Sequence, residues 1–282
     1  MRKSFVALLM VLCVGGVTRP VKAQEFVPAS KTSTSVLPGA DEFAKEKAAF
    51  RPGQFRAADG TTLPYRMLSP AELTAGMRYP LVLVLHGSGA IGTDNSSQLN
   101  RFAVGWAEPA LRTRFPAFVV APQFSARSAD YSESKADALL ASQAGAPLGT
   151  ALELVDQLVR SNPIDPQRIY VVGFSMGASA GWHSLLLRPD LFAGAVLISG
   201  VPPERSVAAQ LAKTPVLITH GNADPENPFP PDRAMFAALQ AIDGNKARFR
   251  EYDNLPHAVP ADMLATDPAG DWWRVWLFAQ HR

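Results

Sequence analysis

The sequence has only one cysteine among its 282 residues, Cys13, and this residue lies in an apolar leader. After the leader, the chain has no cysteine for a disulfide, a thiolate nucleophile or a zinc ligand. Its five histidines are scattered, and no H-E-x-x-H motif is present. A glycine loop of the nucleotide-binding type is also missing. We therefore expect neither a metal nor a cofactor.

Long hydrophobic runs are also missing. The apolar run at residues 4–17 is shorter than the ~20 residues that a membrane-spanning helix requires. Two basic residues precede this run, and the small residues Val21 and Ala23 follow it where a signal peptidase reads the chain. We predict that residues 1–23 are a signal peptide and that the protein is exported to the periplasm or the cell exterior. An uncleaved membrane anchor and a lipoprotein attached at Cys13 are the alternatives.

Neither basic nor acidic residues are in large excess. The chain has 27 Lys and Arg and 25 Asp and Glu, a net charge of +2. Four of the basic residues and none of the acidic ones lie in the predicted signal peptide, so the remaining chain has a net charge of −2. The chain without its predicted signal peptide has no run of basic residues, which argues against a nucleic-acid partner. The hydrophobic fraction of 47% is enough for one sizeable core.

The rest of the chain divides into a polar lead-in and one domain. Residues 24–52 are mixed and include Thr-Ser-Thr-Ser, which predicts a mobile N-terminal segment with one short helix near residues 41–49. Residues 53–282 are predicted to form a single domain. It begins with a hairpin of residues 55–58 and 63–67 around a turn at Asp59-Gly60.

Short apolar runs and helix-like stretches then alternate along the domain. The apolar runs are residues 81–85, 118–121, 169–172, 196–198 and 216–219. The helix-like stretches are residues 148–160, 178–187, 205–213, 232–242 and 271–280. Continuous short apolar runs are typical of strands buried on both faces. The alternation therefore predicts an α/β fold with a mostly parallel central sheet flanked by helices.

A G-x-S-x-G motif at residues 173–177 follows one predicted strand and precedes a helix. Such a motif forms a tight, strained turn that exposes the serine hydroxyl, here that of Ser175. A serine needs a base, and in this type of fold its partners follow in the order Ser, Asp, His. Asp224 and His257 lie just beyond later strands, so we predict a triad of these three residues. The competing residues are less suitably placed, and they are His86, His183, His220, Asp253 and His281.

A serine hydrolase also needs two backbone N–H groups that bind the oxyanion. One is expected from Met176, directly after the predicted nucleophile. The other is expected from the His-Gly loop after the strand at residues 81–85. Ser88 is our choice in that loop, and Gly89 is the alternative.

One long irregular insert is predicted at residues 124–147, which are rich in Ser, Ala and Asp. It leaves a strand whose carboxyl end should lie at the ligand-binding edge of the sheet. We therefore predict that it forms a wall or lid over the site, with Tyr131 contacting the substrate. A surface loop without a role is the alternative, and the pocket would then lie around Trp182 and residues 225–231.

Six stretches resemble bacterial α/β-hydrolases described as predicted peptidases or esterases, which are relatives of polyhydroxybutyrate depolymerases and feruloyl esterases. The stretches are YPLVLVLHGSGAIGTDNSSQL, FVVAPQF, IDPQRIYVVGFSMGASAGW, RPDLFAGAVLISG, THGNADPENPFP and WLFAQHR. The resemblance implies the α/β-hydrolase fold and a triad on Ser175, Asp224 and His257. It does not identify a substrate.

Three functions fit these observations. The favoured one is hydrolysis of a carboxylic ester, either a small molecule or derived from a polymer, through an acyl-enzyme intermediate. A serine peptidase would use the same triad on a harder leaving group. A non-catalytic binding protein on this fold is the third possibility, which the presence of all three triad residue types disfavours.

Overall fold

The computed structural model describes residues 22–29, 43–243, 246–265 and 270–282. Its strands are β1 (Gln24–Val27), β2 (Arg51–Arg56), β3 (Thr62–Leu68), β4 (Tyr79–Leu85), β5 (Phe118–Pro122), β6 (Ala129–Glu133), β7 (Leu140–Ala144), β8 (Ile164–Phe174), β9 (Gly194–Ile198), β10 (Val216–Gly221) and β11 (Ala247–Tyr252). Its α-helices are α1 (Ala44–Ala49), α2 (Arg101–Val104), α3 (Pro109–Arg114), α4 (Pro147–Ser161), α5 (Met176–Leu187), α6 (Ala208–Leu211), α7 (Phe229–Asp243) and α8 (Trp272–Phe278).

The central sheet has the strand order β1-β11-β10-β9-β8-β4-β5-β3-β2. All neighbours from β1 to β5 in this order pair in parallel, whereas β2 and β3 are antiparallel additions at one edge. The predicted fold is confirmed, and each of the five apolar runs lies in a strand of the parallel part. The predicted hairpin is β2–β3, in which Phe55 pairs with Leu63.

Helices cover both faces of the sheet. Strands β4, β5 and β9 are buried along their whole length because each face packs against helices. One apolar cluster joins the sheet to α4, α5 and α7, and a second joins it to α2 and α8. In the second cluster the buried Arg274 guanidinium lies against the rings of both Trp106 and Trp273, 4.9 and 4.3 Å from their centres. The domain is therefore a single layered α/β unit with the sheet at its centre.

The polar lead-in differs from the prediction where it meets the sheet. Residues 24–27 were expected to be mobile, but they form β1 and pair in parallel with β11. The reason is tertiary, because β11 would otherwise present an unpaired backbone edge. The short helix is α1, and residues 30–42 of the lead-in lie outside the described residues. The predicted helix at residues 205–213 is also shorter, since only Ala208–Leu211 is α-helical.

The insert at residues 124–147 is more regular than expected. It contains an antiparallel hairpin of β6 and β7, in which Tyr131 pairs with Ser142. Docking stabilises the hairpin, since the N–H of Ser142 donates to the Pro202 carbonyl at 2.9 Å. Apolar and polar residues do not alternate clearly in this segment, as they do in a typical strand, so its sequence predicts a loop.

None of the helices in the described ranges is long and apolar enough to cross a membrane. The predicted signal peptide lies almost entirely outside those ranges, which begin at residue 22.

Candidate active site

The G-x-S-x-G motif forms a strained turn between β8 and α5. Ser175 has φ 59° and ψ −127°, a backbone conformation that costs energy for any residue with a side chain. Both flanking glycines permit close approach. A Cβ on Gly173 would lie 2.3 Å from the Gly177 carbonyl, and one on Gly177 would lie 2.1 Å from the Leu85 carbonyl. The turn can therefore form only because both positions lack a side chain.

Three elements bring Ser175, His257 and Asp224 into one hydrogen-bonded line. His257 Nε2 lies 2.8 Å from Ser175 Oγ, and His257 Nδ1 lies 2.6 Å from Asp224 Oδ2. Asp224 follows β10 and His257 follows β11, so both loops lie at the carboxyl edge of the sheet, beside the turn after β8. The Phe174 ring packs against the imidazole, with the ring centroids 4.9 Å apart. Because Asp224 accepts at Nδ1, Nε2 is free to accept the proton of the serine hydroxyl.

Asp224 is a buried, well-bonded carboxylate. Its Oδ1 accepts the backbone N–H groups of Glu226 and Asn227, both at 2.9 Å. Burial acts to raise the pKa of Asp224, but hydrogen bonds from His220 and His257 outweigh it and hold the pKa well below its usual range. The carboxylate is therefore ionised and fixed in orientation on both of its oxygens.

A second histidine lies behind Asp224. His220 Nε2 is 3.3 Å from Asp224 Oδ2, and His220 Nδ1 is 2.8 Å from Asp232 Oδ2. The sequence placed His220 among the less suitable candidates for the triad, and it gave no role to Asp232. The sequence feature that could have indicated a role for His220 is its position at the end of an apolar strand, four residues before the predicted triad aspartate.

The residues predicted to bind an oxyanion flank the serine. Met176 is the first residue of α5, where the backbone N–H has no acceptor within the helix. Ser88 begins a short 3-10 helix, Ser88–Ala90, and lines the same cavity as Ser175. A Cβ on the preceding Gly87 would lie 3.4 Å from the Ser175 Cβ, so this loop passes directly beside the serine. Gly89 does not line that cavity.

An open cavity of about 430 Å³ lies in front of the serine hydroxyl. Its lining residues are polar, charged or aromatic, and they are Ser88, Arg127, Asp130, Tyr131, Ser175, Glu226 and Asn227. The Arg127 guanidinium lies 5.0 Å from the centre of the Tyr131 ring and donates to Asp130 at 3.1 Å. Tyr131 therefore stands in the cavity wall, as the insert hypothesis expects.

Trp182, the other predicted substrate-binding residue, is not in the cavity wall. Its side chain is fully buried in the core cluster that joins α5 to the sheet. The physical reason is that α5 is covered on nearly all sides, so an aromatic residue on this helix packs inward whichever way it points. Two residues of the other predicted location, Glu226 and Asn227, do line the cavity.

Within the described ranges, no group of three or more His, Cys, Asp or Glu side chains is arranged to hold a metal ion. The polar groups at the site are instead occupied with one another. Asp224 is bonded to two histidines and two backbone N–H groups.

Comparisons with known proteins agree with this geometry. Residues 131–266, which contain all three residues of the Ser–His–Asp line, match the family described as phospholipase/carboxylesterase. The crystal structure of a thermostable esterase superposes with a TM-score of 0.71 at 31% identity and covers 84% of this chain and 64% of that one. A second match, a rice protein (Oryza sativa subsp. japonica) named as a probable inactive carboxylesterase, is 36% identical over 100 residues, 34% of this chain and 40% of the rice protein.

Another rice protein, named as a probable carboxylesterase, is 28% identical over 226 residues, 73% of this chain and 90% of its own length. The chain thus spans less than half of the first rice relative and just under two thirds of the thermostable esterase. The strand order, the strained serine turn and these similarities agree with one another. The chain belongs to the α/β-hydrolase superfamily.

Proposed function

We propose that this protein hydrolyses carboxylic esters, with Ser175 as nucleophile, His257 as general base and Asp224 as its partner. The observation that carries the proposal is the continuous hydrogen-bonded line from Asp224 through His257 to Ser175, at 2.6 and 2.8 Å. Such a line lets a weak nucleophile lose its proton as it attacks. The esterase names of the relatives support an ester as the bond that is cleaved.

The reaction would run in two halves. Ser175 Oγ attacks the acyl carbon while its proton passes to His257 Nε2, and the imidazolium then protonates the departing alcohol. The serine is left acylated. Water next attacks the same carbon, again giving its proton to His257, which returns it to Ser175 as the acid leaves. The N–H groups of Ser88 and Met176 would bind the oxyanion in both halves.

The proposal includes export. Residues 1–23 would be removed as a signal peptide, and the mature chain would begin at Gln24. Cleavage at this position would leave all four residues of β1, and it would remove the Ala23 carbonyl that accepts the Phe249 N–H at 2.9 Å. To test the cleavage, the full sequence is expressed in a host that can secrete it, and the mass of the exported protein is measured. A product that still carries residues 1–23 would contradict it.

The experiment for the activity compares the parent protein with Ser175→Ala on a p-nitrophenyl ester and on a matched aminoacyl anilide. We expect ester turnover by the parent and a loss of about 10³-fold or more in the variant, because only binding and the oxyanion site remain. Fluorophosphonate labelling of Ser175 is the control for a reactive serine. Preferred turnover of the anilide would indicate a peptidase instead, and absence of labelling in folded protein would indicate a non-catalytic role.

A further inference from the structure

A second Asp–His pair stands behind the Ser–His–Asp line. His220 is the penultimate residue of β10 and is fully buried. Its Nδ1 lies 2.8 Å from Asp232 Oδ2 on α7, and its Nε2 lies 3.0 Å from the Asn227 carbonyl. The same Nε2 lies 3.3 Å from Asp224 Oδ2, the oxygen that also binds His257. The two histidines therefore share one carboxylate oxygen.

The hydrogen-bond partners define where the protons of His220 lie. Nε2 faces a carbonyl and a carboxylate, which only accept, so Nε2 carries a hydrogen. Nδ1 faces Asp232, which lies in the first turn of α7, where the helix dipole favours a negative charge. Burial raises the pKa of Asp232 despite its hydrogen bond to His220, so the two side chains compete for one proton, and the helix dipole favours its place on Nδ1. Burial acts to lower the pKa of His220, but the hydrogen bonds to Asp224 and Asp232 outweigh it and raise the pKa to about 9.

These protons set the charge of the buried group. With an imidazolium at His220 between two carboxylates, the set Asp232, His220 and Asp224 has a net charge of −1. When His257 accepts a proton during the reaction, this set and His257 together become neutral. The exposed Glu226 carboxylate, 3.8 Å from His257 Nε2, lies outside this buried set. Without the extra proton on His220, the resting set would hold two uncompensated negative charges in a buried place, which is costly.

We propose that Asp232 and His220 form a second dyad that keeps Asp224 ionised and limits how readily His257 takes up a proton. His220 does not touch the reacting atoms, so it is a positioning residue that acts through Asp224. The inference rests on the proposed function, because it assigns a consequence to His257 as the base. Its effect is to extend activity toward lower pH, since the His220 cation opposes protonation of His257.

Suitable variants can distinguish the loss of the His220 charge from a change in the position of the Asp224 carboxylate. Asp224 Oδ1 accepts the N–H groups of Glu226 and Asn227, and Asn227 is itself bonded to His220 through its carbonyl. The Glu226 N–H therefore keeps the carboxylate anchored when His220 is replaced. Glutamine at position 220 can still donate a hydrogen bond but has no charge. His183 offers a matched control, because it is buried and bonded to Ser142 Oγ at 2.9 Å, outside the triad.

The experiment measures kcat/KM against pH for the parent, His220→Gln, His220→Gln/Asp232→Asn and His183→Gln. In His220→Gln we expect the acid limb, which is the fall in kcat/KM at low pH, to move to higher pH by about one unit because the nearest cation is lost. The double variant also loses the Asp232 anion, so its acid limb should move in the same direction by less. His183→Gln should leave the limb in place. A limb that does not move in a folded His220 variant would overturn the inference, even if activity falls.

The parent protein provides a second measurement that needs no variant. Nitrogen-15 NMR of histidine side chains should find both ring nitrogens of His220 protonated at pH 7. A neutral His220 at this pH would overturn the inference whether or not any ester is hydrolysed. Conversely, a protonated His220 in a protein without ester turnover would leave the dyad intact and contradict only the proposed function.

Discussion

The Tyr131 hydroxyl lies 3.1 Å from the Ser179 hydroxyl, one helical turn after the serine turn. Ser179 Oγ in turn lies 3.3 Å from the Ser175 carbonyl and accepts the Val201 N–H at 2.8 Å. The hairpin β6–β7 is thereby tied to the backbone of the predicted nucleophile. The cavity wall and the reactive turn thus belong to one hydrogen-bonded unit.

Replacing Tyr131 with alanine should weaken substrate binding rather than chemistry. The change removes an aromatic face from the cavity wall, so we expect KM for small p-nitrophenyl esters to rise about fivefold, with kcat nearly unchanged. Tyr131→Phe is the matched control, because it keeps the ring and loses the hydroxyl that bonds Ser179. Equal KM values for Tyr131→Ala and the parent across acetyl to octanoyl and feruloyl esters would show that the hairpin is scaffold.

Replacing Gly177 with alanine should destabilise the domain. The new Cβ would lie 2.1 Å from the Leu85 carbonyl on β4, and the backbone there cannot move without disturbing the sheet. We expect a loss of roughly 2–4 kcal/mol in the free energy of unfolding, measured by urea denaturation. The control is Gly149→Ala in α4, where no atom beyond its chain neighbours and the backbone of its own helix lies within 4 Å of the new Cβ. This change should be neutral or stabilise the helix by up to about 1 kcal/mol.

Replacing His86 should lower kcat by disturbing the oxyanion loop. The Phe124 N–H donates to His86 Nε2 at 3.0 Å, so the ring hydrogen is on Nδ1, which donates to the Gly87 carbonyl at 2.8 Å. That carbonyl shares a planar peptide with the Ser88 N–H, which therefore points the opposite way. Burial lowers the pKa of His86 and keeps this donor arrangement neutral.

We expect His86→Phe to lose about tenfold in kcat with little change in KM, a smaller loss than deletion of an oxyanion donor. Steady-state kinetics on a short-chain ester measures this. His183→Gln again serves as the control for a change at a buried histidine. A variant that retains full kcat would mean that Ser88 is oriented without His86.

Stability should be greatest near pH 6.5 and should fall on both sides for different reasons. On the alkaline side, the raised pKa of His220 means that the folded protein holds a proton that the unfolded chain releases, so stability declines from about pH 6.5 to 9. On the acid side, burial lowers the pKa values of His86 and His183, so stability declines as the pH falls below about 6.5.

Urea denaturation from pH 5 to 9.5 measures both limbs. The alkaline decline should be on the order of 1–3 kcal/mol and should be absent in His220→Gln, while the acid decline persists. An alkaline decline of equal size in this variant would assign it to other groups.

The sequence was sufficient for features that depend on local patterns. Runs of apolar residues such as those of β4 and β10 predict strands buried on both faces, because the runs are too short for an ordinary helix and alternate with helix-like stretches. The position of Ser175 between a strand and a helix follows from two glycines at a fixed spacing. The choice of Asp224 and His257 followed from chain order, and both residues lie where that order indicates.

Other features required the tertiary structure because each depends on what a segment packs against. Residues 24–27 are a strand only because β11 offers an edge, and β6–β7 is a hairpin only because it docks beside α5. Trp182 is in the core because α5 is enclosed. The partnership of His220 with Asp232 joins residues twelve positions apart through the packing of α7 on the sheet. The pattern of residues along the chain shows which residues are apolar and which are polar. Burial, strand pairing and shared protons depend on which residues become neighbours in the folded protein.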